Sequence, residues 1–233
     1  MFNDTIFALW GICGYLIGSI PFGLLLCLAF GYGDIRKSGS GNIGATNVLR
    51  VSKNKLLALL TVLFDASKAG IIAYVAMKVI SPKPAVFCGI VTQLNVLVAL
   101  ISGTMAIIGH NFPIWLKFKG GKGVASSFGL ILATAPLTAL AAFIVWIVTA
   151  IIFRYSSLAA IVAALSTPLI SFFANDLIYT VFIAFLSLLL LIRHHANFAR
   201  LIKGEESKIS FSKGKAPKNE KSKKSTKSKK SKK

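Results

Sequence analysis

Six long apolar runs limit this chain more than any other feature. Residues 5–30, 54–80, 85–109, 124–153, 157–174 and 177–192 are dominated by Leu, Ile, Val, Ala and Phe. About 20 such residues span the hydrocarbon core of a bilayer, so the pattern predicts an all-α polytopic membrane protein. The bulk values agree: 55% of residues are hydrophobic and the mean hydropathy is +0.73. A cleavable signal peptide would show a basic start and a shorter apolar core. Only Asp4 charges the start here, so the first run reads as a retained helix. Cys13, Cys27 and Cys88 fall in apolar runs without metal-ligand spacing, which makes them small hydrophobes of the core or of the lipid-facing surface.

Charge then orients the chain. Loop 31–53 carries Arg36, Lys37, Arg50 and Lys53, and loop 110–123 carries Lys117, Lys119 and Lys122, whereas turn 81–84 has only Lys83. The two basic loops are therefore expected on the cytoplasmic side. So is the C-terminal segment, where Lys203 to Lys233 holds 13 Lys against 3 Glu. Six crossings give the wrong parity for that arrangement. Pro136 divides the fourth run into 124–135 and 137–153, and proline ends or kinks a helix at the residue before it. Seven transmembrane helices result, with the N-terminus outside and the C-terminus cytoplasmic. Residues 1–210 read as one transmembrane domain. Residues 211–233 read as a disordered Lys/Ser-rich cytoplasmic tail, solvated or held near anionic lipid, with no nucleic acid expected.

Two glycine-rich stretches lie in the basic loops. SGSGNIGATNVLR (38–50) contains GxGxxG with Asp65 some distance beyond, which superficially matches a dinucleotide-binding turn. That turn needs a buried strand before it, and here a helix-length apolar run precedes it. Asp65 sits three residues before Lys68 in the next span, a spacing suited to a buried structural pair. FKGGKGVASS (118–127) fails as a P-loop because Gly123, not Ser or Thr, follows Lys122. What remains is physical. Glycine lets backbone N–H groups approach an anion, and each stretch carries a cation, Arg50 or Lys122, and opens onto an apolar helix whose N-terminus favours negative charge. Two anion-binding nests on one face point to a phosphorylated substrate.

A third polar stretch, RHHANFARLIKGEESKI (193–209), begins where the last run ends. Its cations, Arg200 and Lys203 among them, could serve only to hold lipid headgroups. His194 and Asn197, at i and i+3, are not needed for that. His195 reads as surface.

In that order, SGSGNIGATNVLR, GHNFPIWLKFKGGKGVASSFG and RHHANFARLIKGEESKI resemble the bacterial acyl-phosphate-dependent glycerol-3-phosphate acyltransferase family. The resemblance covers residues 5 to 210. It departs at Phe198, Ser126 and the additional His195, and the Lys-rich tail lies outside it. It implies a seven-helix enzyme of phospholipid synthesis in the bacterial inner membrane, with its active site facing the cytoplasm. The reaction implied moves a fatty acyl group from acyl phosphate to the 1-hydroxyl of glycerol 3-phosphate, giving lysophosphatidic acid and phosphate. Acyl phosphate is a mixed anhydride and already reactive, so neither cofactor nor metal is implied; the partners are the two substrates and membrane lipid.

The matching positions are Ser40, Asn42, Thr46, Asn47 and Arg50 in the first motif. In the second they are His110, Gly120, Gly121, Lys122 and Gly123, taken as the glycerol-phosphate site. In the third they are His194, Asn197 and Glu206. The hydroxyl proton could go to His194 or to a phosphate oxygen of a substrate. His194 and Asn197 could instead orient phosphate, with Glu206 fixing the loop through Arg200 or Lys203. Ser40 could be a ligand or a nucleophile, and Thr46 and Asn47 could cap the helix that follows, contact substrate, or both. A transporter of a phosphorylated metabolite is the rival reading. Transporters usually carry internal repeats that meet at the midplane, and the sequence shows no repeat and groups its polar motifs at one face.

Overall fold

The computed structural model describes residues 2–209; the Lys/Ser-rich tail lies outside them. Ten α-helices and one β-hairpin make up the described chain: α1 (Phe2–Gly18), α2 (Phe22–Ala29), α3 (Ala45–Ser52), α4 (Lys55–Val79), β1 (Pro84–Phe87), β2 (Ile90–Gln93), α5 (Leu94–Asn111), α6 (Val124–Thr134), α7 (Pro136–Phe153), α8 (Ser156–Ala174), α9 (Leu177–Arg193) and α10 (His195–Ile202). Five segments are long and apolar enough to cross a membrane: α1 with α2, α4, α5 with the turn after it, α7 and α8. The pair α9 and α10, bent by 56° at His194, is a sixth. The break predicted at Pro136 is present, because α6 ends at Thr134 and α7 begins at Pro136. Helix α6 is apolar but has only 11 residues, about 16 Å of rise.

Four expectations need correction. The first apolar run is not one helix: Pro21 removes a backbone donor, and the chain breaks between Gly18 and Phe22. Lys68 occupies that break from α4, donating from Nζ to the Ile20 carbonyl at 3.0 Å. The third run starts at Leu94 rather than residue 85, and the residues before it form the antiparallel hairpin, so the fold is not purely α. Cys88 and Gly89 make its two-residue turn with φ of 50° and 80°, a pair of positive values that suits the twist of a hairpin. Cys88 is thus an exposed residue of a hairpin turn, neither in the core nor on a membrane-spanning helix. The helix after the first glycine stretch, α3, is a short amphipathic one and not an apolar span.

Helix α5 is the centre of the bundle, packed by α1 and α4, while α4 carries α6 and α8 stands between α7 and α9. With no hydrophobic drive between helices in lipid, close backbone approach needs small residues. Gly14 and Gly18 supply it on α1: a Cβ on either would strike the α5 backbone at Ser102 or Ala106. Gly129 of α6 meets the α4 backbone at Ala66 in the same way. Large apolar side chains such as Leu59, Ile71, Leu140 and Phe173 point outward, as a bilayer-facing surface requires.

Candidate active site

The three polar stretches converge on one cavity of about 750 Å³. Its polar end is lined by Ser40, Asn42, Thr46, Asn47 and Arg50, by His110, Lys122 and Gly123, and by His194, Asn197 and Glu206. Of the residues singled out by sequence, only Gly120 and Gly121 lie outside the lining. The other end is apolar, running between α6, α7, α8 and α9 past Phe128, Phe143 and Leu186.

One side chain organises the first loop. Asn47 is buried; its Oδ1 accepts from the Ser40 N–H at 2.8 Å, and its Nδ2 reaches the carbonyls of Ile35, Asn42 and Ser38 at 2.9, 2.8 and 3.2 Å. Of the readings open to Thr46 and Asn47, capping is not found, since the residue at the N-cap of α3 is Gly44. Asn47 instead shapes the loop so that Ser40, Thr46 and Arg50 face the cavity. Gly39, with a φ of 63°, sits against Asn47 where a side chain would collide with it.

The second loop is held by its own backbone. The N–H groups of Gly120 and Gly121 donate to the Asn111 and His110 carbonyls at 3.1 and 2.9 Å. Their carbonyls accept from Arg193, which contacts Gly121 at 2.8 and 3.0 Å and Gly120 at 3.0 Å. A Cβ on Gly121 would fall on the buried His110 ring. These glycines therefore do not present N–H groups to an anion, contrary to the nest expected from sequence. They let the turn close on His110 and bring Lys122 and the start of α6 to the cavity. The N–H groups of Val124, Ala125 and Ser126 precede the first bond of α6, Ser127 to the Gly123 carbonyl at 2.8 Å, and take no backbone acceptor. That helix end favours an anion.

A hydrogen-bonded chain joins the second and third stretches. Lys122 Nζ donates to Asn197 Oδ1. Asn197 Nδ2 and Ser157 Oγ both donate to Glu206 Oε1 at 2.7 Å, and Arg200 Nε donates to Glu206 Oε2 at 2.7 Å. Burial opposes the Glu206 carboxylate, but the bonds from Ser157, Asn197 and Arg200 outweigh it and hold its pKa below the usual carboxylate range. Burial also brings the Lys122 ammonium down to about 8, with the neighbouring arginines adding to the effect and Glu206 opposing it. Among the described residues neither Arg50 nor Lys122 forms an ion pair. The bend at His194 turns α10 so that Asn197 reaches this chain. His194 Nδ1 lies 2.8 Å from the Leu190 carbonyl. A carbonyl only accepts, so Nδ1 carries the proton of the neutral ring and Nε2 keeps its lone pair.

Sequence reasoning missed three contributions. Arg193 holds the second loop, and Ser157 helps to fix Glu206; the Glu206–Arg200 pair is one of the two expected from the sequence. Asp65 pairs with Lys68 at 3.0 Å as expected, but it also lies 3.5 Å from His110 Nδ1 and lines the cavity. No group of three or more potential metal ligands occurs among the described residues.

The glycerol-3-phosphate acyltransferase family model matches residues 8–204. The glycerol-3-phosphate acyltransferase of Rhodospirillum rubrum is 50% identical over 210 residues, covering 89% of this chain and 94% of its own. That of Caulobacter vibrioides is 46% identical over 201 residues, 86% of either chain. Two crystal structures of PlsY, an integral membrane glycerol 3-phosphate acyltransferase, superpose on the fold. The glycerol 3-phosphate form gives a TM-score of 0.77 at 35% identity, over 88% of this chain and 96% of that one. The lysophosphatidic acid form gives 0.75 at 34% identity, over 88% and 95%.

Proposed function

We propose that this chain, which belongs to the glycerol-3-phosphate acyltransferase family, takes its acyl group from acyl phosphate. It transfers that group to the 1-hydroxyl of glycerol 3-phosphate and releases phosphate and lysophosphatidic acid. The observation that carries this reading is a single cavity with an apolar trough at one end and, at the other, two cations, Arg50 and Lys122, that form no ion pair among the described residues. Both substrates are phosphorylated, and bringing two such anions together in a low-dielectric site costs energy that cations must offset. The acyl chain lies in the trough. Lys122 and the start of α6 hold the glycerol phosphate, and Arg50 with the Asn47-ordered loop, Ser40 included, faces the donor phosphate. Asn42, Thr46, His110 and Gly123 complete the polar lining around them.

The hydroxyl oxygen attacks the acyl carbonyl carbon, the bond from that carbon to the phosphate oxygen breaks, and phosphate leaves with the electron pair. His194 Nε2 takes the hydroxyl proton, while Asn197 keeps Lys122 in place. Ser40 is a ligand here, because no base adjoins it and the donor is already activated. A transporter would need a passage to the opposite face, whereas this trough ends within the bundle at Ile131, Ala139 and Ile183.

Purified full-length protein given glycerol 3-phosphate should turn over with acyl phosphate and at least about a hundredfold more slowly with acyl-CoA or acyl carrier protein. Equal rates with acyl-CoA would remove the donor assignment. In the same assay His194→Gln should lower kcat by about 10²-fold or more. A loss under tenfold would assign the proton to a substrate phosphate instead. We take residues 1–210 as a single acyltransferase domain, so a chain ending at Gly214 should keep the full-length rate; a large loss would show the tail to be part of the site.

The cavity mouth faces the cytoplasm in this reading, at the inner membrane, with seven crossings. The basic loops around Lys37 and Lys119 share its face, and α6 is the short crossing that restores parity. Cysteine labelling from outside should reach Lys83→Cys and Leu137→Cys, in a background without Cys13, Cys27 and Cys88, and should spare Lys119→Cys. Labelling of the last from outside would invert the topology.

A further inference from the structure

The cavity has a closed end that the reaction itself does not use. Ile131, Ala139, Thr167 and Ile183 line it there, one from each of α6, α7, α8 and α9. Ile131, Ala139 and Ile183 belong to one buried cluster with Ala135. Immediately beyond them, a hydrogen-bonded polar group crosses three helices at one level. Asn175 Nδ2 donates to Thr138 Oγ1 at 2.6 Å and to Ser171 Oγ at 3.3 Å, and Thr180 Oγ1 donates to Ser171 Oγ at 3.1 Å. Thr138 and Ser171 are fully buried. Thr138 adjoins Ala139 in sequence, Ser171 lies one turn past Thr167, and Thr180 lies one turn before Ile183.

We propose that this floor measures the acyl chain: Ile131, Ala139, Thr167 and Ile183 set the donor length, and the Thr138–Ser171–Asn175–Thr180 network behind them keeps the floor from yielding. The inference rests on the acyl-transfer reading above and adds to it which donors fit. Leaving a buried polar group such as Thr138 or Ser171 without its partner is costly, so a chain that pushed past the floor would have to break bonds that tie α7, α8 and α9 together. The floor is therefore firm where a purely apolar one would deform.

Its depth follows from the helices. From Ser156 to Thr167 on α8, and from His194 to Ile183 on α9, the lining descends eleven residues, about 16 Å at 1.5 Å per residue. An extended chain advances about 1.2 Å per bond, one third of the reach of an extended residue. The trough accordingly holds about thirteen bonds below the polar end. A myristoyl chain fills it, and palmitoyl and stearoyl chains overrun it by progressively more.

The test is competition between donors in one mixed-micelle reaction, with lysophosphatidic acid products separated by mass spectrometry. Lauroyl, myristoyl, palmitoyl and stearoyl phosphate are supplied together to the full-length protein. The wild type should favour myristoyl over stearoyl by about tenfold or more, the lower range for surplus methylenes in an enclosed pocket. Ile183→Ala, which removes floor atoms, should shrink that ratio to near one. Ala139→Val, which raises the floor, should shift the preference toward lauroyl. If the valine variant does not fold, the ratio in Ile183→Ala decides alone. A ratio unchanged by Ile183→Ala, or a wild type that ignores length, overturns the floor while leaving acyl transfer intact. Absence of product from every acyl phosphate overturns the acyl-transfer reading and the floor with it.

Discussion

Lys122→Ala is expected to raise the Michaelis constant for glycerol 3-phosphate by about thirtyfold to several thousandfold, equivalent to about 2–5 kcal/mol. The ammonium is half-buried at the cavity, makes no ion pair, and is aimed by Asn197. Losing it leaves a partly dehydrated phosphate without its partner. Arg50→Ala should cost a similar amount, on either phosphate. Lys37, Lys53 and Lys117 share the same loops but are exposed, and neutralising an exposed charge costs under about 1 kcal/mol. Steady-state kinetics of the five alanine variants, with folding checked by size exclusion, separates a built site from a diffuse field. If Lys117→Ala hurts as much as Lys122→Ala, the site assignment is wrong.

The same lysine gives a pH signature. Burial lowers its pKa to about 8, so the free enzyme loses this cation as pH rises through that value. The Michaelis constant for glycerol 3-phosphate should climb above about pH 8. It should also climb below about pH 6, where a phosphate monoester takes up its second proton. Lys122→Arg, which stays charged throughout, should abolish the upper limb even if its overall affinity is lower. An upper limb that survives in Lys122→Arg would belong to another group.

Much of this arrangement was legible as length and charge. Runs of bilayer length located the spans, and Pro136 located the break between α6 and α7, because a missing N–H acts locally. The hairpin was hidden: Val86, Phe87, Ile90 and Val91 raise hydropathy as much in a strand as in a helix, and periodicity does not separate the two over so short a stretch. The glycine stretches showed where backbone could come close to something, but not what. Gly120 and Gly121 close on His110 and Arg193, a partner set by the meeting of α5 and α9 and absent from any local pattern. Asp65 was readable through Lys68 at i+3, but its approach to His110 depends on how α4 packs on α5. Spacing finds neighbours on one helix; contacts between helices need the fold.

Glu206 shows how such a long-range contact should govern rate. It has no reacting partner in the proposed chemistry, yet Glu206→Ala is expected to lower kcat/KM by about 10²–10³-fold, or about 3–4 kcal/mol. Its carboxylate receives Ser157, Asn197 and Arg200 together. Removing it leaves three donors without an acceptor and frees Asn197 to rotate away from Lys122. Bonds to a charged acceptor are worth about 1.5–3 kcal/mol, and a shared network loses more than one pairwise bond. Ser157→Ala removes one donor and leaves the carboxylate in place, so it should cost under about tenfold. Glu206→Gln should fall between, because its amide NH2 would face donors. The decisive readout is coupling: if Glu206 acts through Asn197 on Lys122, the losses in Glu206→Ala and Lys122→Ala should not add in the double variant. Fully additive losses would make Glu206 an independent structural residue and break the link between the second and third loops.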